Sequence, residues 1–136
     1  MRRSGIVGAA LAALALAGAA CSSGGSSGAE KVNVGLAEYT ISPSLQTVPA
    51  GKVTFDVHND GTTTHEMVVV KAKDASGRLP VEKGEASEAG SVGEVADLEV
   101  GKSGTMNIKL APGTYVLICN LPGHYLGGMH TVFTVT

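Results

Sequence analysis

Short alternations of apolar and polar residues run through most of the chain. Val32, Val34 and Leu36 share one face between Lys31 and Leu36, and Tyr39 to Ile41 continues that run up to Ser42-Pro43. Val53, Phe55 and Val57 alternate with Thr54, Asp56 and His58, which predicts a half-buried strand. Glu66 to Lys71 is a valine-rich strand, Thr105 to Leu110 alternates again, and Thr114 to Cys119 and Thr131 to Thr136 complete the series. Pro49-Ala50-Gly51-Lys52, Asn59-Asp60-Gly61 and Ala111-Pro112-Gly113 punctuate these runs as turns. The stretch 74–97 breaks the pattern with four glycines among acidic and small residues. It predicts a long acidic surface loop, with a short helix near Val81 to Ala89. Short strands joined by Gly/Pro turns predict an all-β sandwich or barrel.

The first twenty residues carry a different pattern. Arg2 and Arg3 precede an apolar run from Ile6 to Ala17, and small residues Gly18 to Ala20 follow. This is an export signal over 1–20, too short for a bilayer-spanning helix. Cys21, followed by Ser22-Ser23-Gly24-Gly25-Ser26-Ser27-Gly28, resembles a bacterial lipoprotein signal, although Gly18 stands where that family usually has a large aliphatic residue. The resemblance implies that Cys21 becomes a lipidated first residue and that 21–30 is a flexible tether. The remaining 31–136 is then one small domain, expected to be monomeric and anchored on the extracytoplasmic (periplasmic) face of the membrane. Loss of the signal moves the net charge from −2 to −4, and no basic cluster suggests nucleic acid. With Cys21 in the anchor, Cys119 is a lone thiol in an oxidising compartment rather than half of a disulfide. Metal ligation would protect it.

The candidate chemistry lies in Cys119-Asn120-Leu121-Pro122-Gly123-His124-Tyr125-Leu126-Gly127-Gly128-Met129, with His65 upstream at the mouth of the valine strand. Two histidines, a cysteine and a methionine form the ligand set of a mononuclear electron-transfer copper site. A rigid His2Cys plane with a weak axial thioether suits Cu(II) and Cu(I) about equally, so little moves on electron transfer. Each residue alone has a commoner explanation: a turn histidine, a small buried hydrophobe, a core methionine. Their order and loop context favour the joint reading. His58 lies on the polar face of its strand, His130 is expected to point away, and Tyr125 is expected to pack.

Gly113-Thr114-Tyr115 leading into Cys119, then Pro122-Gly123-His124 and Gly128-Met129, resembles the C-terminal motif of the cupredoxins, the plastocyanin and azurin family. The four-residue gaps on either side of His124 are most similar to those of rusticyanin and sulfocyanin. The resemblance spans about Lys31 to Thr136. It implies a Greek-key β-sandwich and one type 1 (blue) copper, with His65, Cys119 and His124 as strong ligands and Met129 as the weak axial one. It also implies electron transport between exported or membrane redox proteins. His124 would be the electron port, ringed by Leu121, Pro122, Leu126 and Gly127. Many members carry Asn after the first histidine; here that residue is Glu66, whose carboxylate is expected to brace the loop through different hydrogen bonds or to alter the potential.

The motif excludes related chemistries. A binuclear copper centre needs a second cysteine in the loop, and relay to a second, catalytic copper uses a histidine beside the cysteine; the neighbours here are Ile118 and Asn120. The four-ligand set leaves no open position for a small-molecule substrate, and no hydrolase or phosphate-loop motif is present, so an enzyme is not expected. The rival reading is a copper carrier, store or chaperone using the same site. Such proteins favour methionine-rich, exchangeable ligands, whereas this chain has four methionines and no tract of them.

Overall fold

The computed structural model describes residues 28–136; the export signal, Cys21 and nearly all of the tether lie outside the described residues. Eleven strands follow in order: β1 (Glu30–Ala37), β2 (Thr40–Pro43), β3 (Thr47–Val48), β4 (Gly51–Asn59), β5 (His65–Lys71), β6 (Val81–Glu82), β7 (Glu85–Ala86), β8 (Ser91–Leu98), β9 (Ser103–Leu110), β10 (Gly113–Ile118) and β11 (His130–Val135). Nine of them form a four-stranded sheet in the order β2-β1-β4-β9 and a five-stranded sheet in the order β3-β11-β10-β5-β8, and β6 and β7 pair separately. Both larger sheets are mixed, because β1 runs parallel to β4 and β3 parallel to β11. The result is an all-β sandwich, as the alternation predicts.

The inward residues of each alternating strand meet between the sheets. Val32, Val34 and Leu36 of β1 and Val53, Phe55 and Val57 of β4 pack against Met67, Val69, Leu117 and Phe133 of the facing sheet. Phe55 and Phe133, both fully buried, meet edge to face with ring centroids 5.3 Å apart. β5 and β10 differ: Met67 to Val70 and Tyr115 to Ile118 are buried without alternation. A strand covered on both faces reads as a continuous apolar run. The outer cover comes mainly from the segment after β5: Leu79 and Ala86, joined by Tyr125 from the loop between β10 and β11, pack on Val68, Val70, Val116 and Ile118.

This segment corrects the expected loop and short helix at 74–97. Val81 to Ala86 is a two-stranded hairpin, and Ser91 to Leu98 is an edge strand paired with β5. Lys83 and Gly84 both have positive φ, 52° and 89°, as a two-residue type I′ turn requires, so the Glu/Ala/Lys composition does not make a helix. β8 carries two irregularities against β5, between partners of His65 and Met67 and of Val69 and Val70. Asp97, at φ 47°, lies in the first of them, and such bulges commonly re-aim side chains beside functional sites.

Candidate metal centre

β5 begins at His65, and Cys119 directly follows the end of β10, so two adjacent antiparallel strands deliver both residues to one end of the sandwich. The chain then makes a compact loop before β11. Within it His124 N donates to Leu121 O, Gly127 N to Gly123 O, Gly128 N to Tyr125 O and Met129 N to His124 O. Cys119 N donates to Met129 O at 3.1 Å, closing the loop on itself. Gly123, at φ 82°, and Gly128, at φ 104°, supply conformations that other residues adopt only with strain.

The loop and the start of β5 together turn three donor atoms toward one point. Sγ of Cys119 lies 3.3 Å from Nδ1 of His124 and 3.9 Å from Nδ1 of His65, and the two Nδ1 atoms are 3.3 Å apart. A point equidistant from all three is about 2.0 Å from each, close to the roughly 2.0–2.3 Å of nitrogen and thiolate bonds to a divalent metal such as zinc. The donor set therefore fits a small metal ion. Met129 is fully buried in the same core cluster as Cys119, and its backbone is bonded to both Cys119 and His124. Of the four residues singled out from the sequence, the donor atoms of three converge and the fourth is tied to them. His58 and His130 are exposed and outside the cluster.

Burial pushes the Cys119 thiol above its ordinary value; N–H groups of Glu66 and Leu121 oppose this, and the Glu66 charge adds to it. Burial also lowers His124, with the facing His65 adding to the effect and Glu38 opposing it. Both shifts favour uncharged side chains in the metal-free site.

Glu66 braces the loop. Its Oε1 accepts from Asn120 N at 3.0 Å, and its own N–H points at Cys119 Sγ at 3.5 Å. Burial raises its carboxyl, the Asn120 N–H opposes that, and the nearby charges of Glu94, Glu88 and Asp97 raise it further. Asn120, which the sequence did not single out, locks the hairpin to the ligand loop. Its side chain accepts from Ala86 N at 2.7 Å and donates to Ala86 O at 3.0 Å and Glu88 Oε1 at 2.7 Å. Tyr125 is buried as expected, and its hydroxyl accepts from Leu79 N at 3.3 Å.

A further group surrounds His65. Asn59, fully buried, donates to Thr63 O and Leu98 O and accepts from Gly61 N, fixing the loop ahead of β5. Glu38 reaches the same loop, where hydrogen bonds led by the Thr62 N–H hold its carboxyl down to about 2. Its neighbour Tyr39, 54% exposed, meets the His124 ring edge-on at 6.1 Å. Leu126, 62% exposed, lies two residues beyond His124.

The sequence profile of the cupredoxin-like domain matches residues 9–132. Auracyanin-B of Chloroflexus aurantiacus is 52% identical over 42 residues, a match covering 30% of this chain and 18% of that protein. The chain therefore matches less than a fifth of that relative's length. Among solved structures, reduced auracyanin from Roseiflexus castenholzii has a TM-score of 0.61 at 28% identity, covering 80% of this chain and 99% of the other. Auracyanin A, a "blue" copper protein of Chloroflexus aurantiacus, has a TM-score of 0.60 at 21% identity, covering 80% and 100%.

Proposed function

Since this chain belongs to the cupredoxin-like family, we propose that it carries single electrons on one copper ion held by His65, Cys119, His124 and Met129. The observation that carries this reading is the convergence of two Nδ1 atoms and one thiol sulfur within 3.3–3.9 Å of one another. Bound there, copper supplies a Cu(II)/Cu(I) couple. The protein's part is to keep the donors in place through that change. Backbone hydrogen bonds inside the loop, the Glu66 brace and the Asn120 clamp hold them against movement. His65 and Cys119 are fully buried, whereas His124 is partly exposed beside Tyr39 and Leu126. The His124 edge is thus the route by which a partner's electron reaches the site.

Export through the signal over 1–20 and lipid on Cys21 would keep the carrier at the membrane surface, where its partners are exported or membrane redox proteins. The buried donors distinguish this reading from a copper chaperone, which must surrender its metal readily. Voltammetry of the copper-loaded protein tests the point: a reversible one-electron wave that persists over repeated cycles supports a carrier, and loss of copper on reduction contradicts it.

Copper uptake should also release a proton. The ligands must be deprotonated to bind, and the Cys119 thiol is held above its ordinary value while His124 is held below its own. Between about pH 6.5 and 8.5 the thiol still carries its proton in the metal-free protein and His124 does not. Copper affinity is therefore expected to rise about tenfold per pH unit across that window. Calorimetry in buffers of different ionisation enthalpy measures the proton; no release at neutral pH would contradict thiolate ligation.

A further inference from the structure

We propose that Glu38 is a positioning residue for the metal site, its carboxylate accepting a hydrogen bond from the Nε2–H of His65 and thereby fixing Nδ1 as the donor. The proposal rests on the copper reading above. Nδ1 of His65 faces the other two donors, so in the neutral ring the proton belongs on Nε2. That nitrogen is fully buried and lacks a hydrogen-bond partner. A buried N–H without an acceptor carries an uncompensated desolvation cost. Glu38 Oε1 lies 3.4 Å away, within ion-pair reach but outside hydrogen-bonding geometry, and a small shift of either group closes the bond.

Three features hold that carboxylate in place. Thr62 N and Thr63 N donate to Oε1 at 2.6 and 3.0 Å. The Thr62 and Thr63 hydroxyls donate to the same oxygen at 3.1 and 3.3 Å. A Cβ at Gly61 would lie 2.8 Å from both Glu38 Oε1 and His65 Nε2, so glycine keeps the gap between them clear. Glu38 belongs to the short turn between β1 and β2 and is separated from His65 by the whole of β4, so the contact exists only in the folded chain. A carboxylate on the outer nitrogen makes the imidazole a stronger donor. The stronger donor favours Cu(II) over Cu(I).

Glu38→Gln tests this, because it keeps an oxygen but removes the charge. The variant should still form the coloured Cu(II) site. Its Cu(II) affinity relative to Cu(I) should fall 10–100-fold, which raises the reduction potential by about 59 mV per tenfold. Asp60→Asn removes an exposed charge from the same loop, at a carboxylate that meets His58 rather than His65, and should leave the potential near wild type. Nitrogen-15 NMR of the copper-free wild type gives a second readout: the His65 proton should sit on Nε2. An unchanged potential in Glu38→Gln, a matching shift in Asp60→Asn, or a proton on Nδ1 overturns the proposal. If wild type forms no coloured Cu(II) site, the copper reading fails, and the His65 tautomer alone then decides whether Glu38 positions the ring.

Discussion

Cys119→Ser is expected to bind Cu(II) without the intense visible absorption of the wild-type complex, and to hold it far more weakly. The absorption requires a short bond from a thiolate sulfur to Cu(II), and Cys119 is the sole sulfur among the three converging donors. Serine offers an oxygen that stays protonated at neutral pH and is too hard to suit Cu(I). The fold should survive the change. The serine hydroxyl would have Glu66 N, now 3.5 Å from the sulfur, as donor and His124 Nδ1, now 3.3 Å away, as acceptor. Circular dichroism and a thermal melt of the metal-free variant should therefore resemble wild type, while the spectrum of the copper-treated sample loses its band. A band of undiminished intensity in Cys119→Ser would remove the thiolate from the site.

Phe133→Ala should produce the largest loss of stability, about 3–5 kcal/mol. Phe133 is fully buried on β11 and meets Phe55 of β4, so the pair joins the two sheets at the centre of the core. Truncation removes the ring's burial and leaves a cavity that rigid strands on both sides cannot fill. For a domain of this size that corresponds to a melting-point drop of roughly 12 °C or more. Val132→Ala, one residue earlier on the same strand but 37% exposed, is the matched control and should stay within about 0.5 kcal/mol. Urea unfolding of the metal-free protein measures both. A loss under about 1 kcal/mol for Phe133→Ala would mean that the sheets are not joined through this contact.

The alternating strands were visible in the sequence, and β5 and β10 were visible as valine-rich, β-branched runs. β1, β4 and β9 each place one face on the core, and the spacing of Val32, Val34 and Leu36 or of Val53, Phe55 and Val57 states that directly. β8 and the hairpin were not visible, because their residues are chosen for an edge and an outer cover. Glu82, Glu85 and Glu88 are exposed or half-exposed, and Ala86 is the hairpin strand residue that is buried. A clue did exist in Val68-Val69-Val70, since an unalternating run needs a cover on both sides. At the site, the ligand residues were legible because three of them share one short loop with distinctive spacing. Glu38, Asn59 and Asn120 were not. Each acts through a contact made by folding, and an isolated Glu or Asn in a strand or turn carries no mark of what it will touch. Glu66 was legible as a departure, and the structure supplies its role: it receives the Asn120 N–H and so ties β5 to the ligand loop.

The central claim is that these donors form one copper site that accepts and returns a single electron. Stepwise addition of Cu(II) to the protein, followed in the visible range, tests it most directly. An intense thiolate-to-copper band should appear, saturate at one equivalent, be bleached by one electron per protein, and return on reoxidation. A protein that stays colourless while binding copper, or whose band is lost irreversibly on the first reduction, would contradict it.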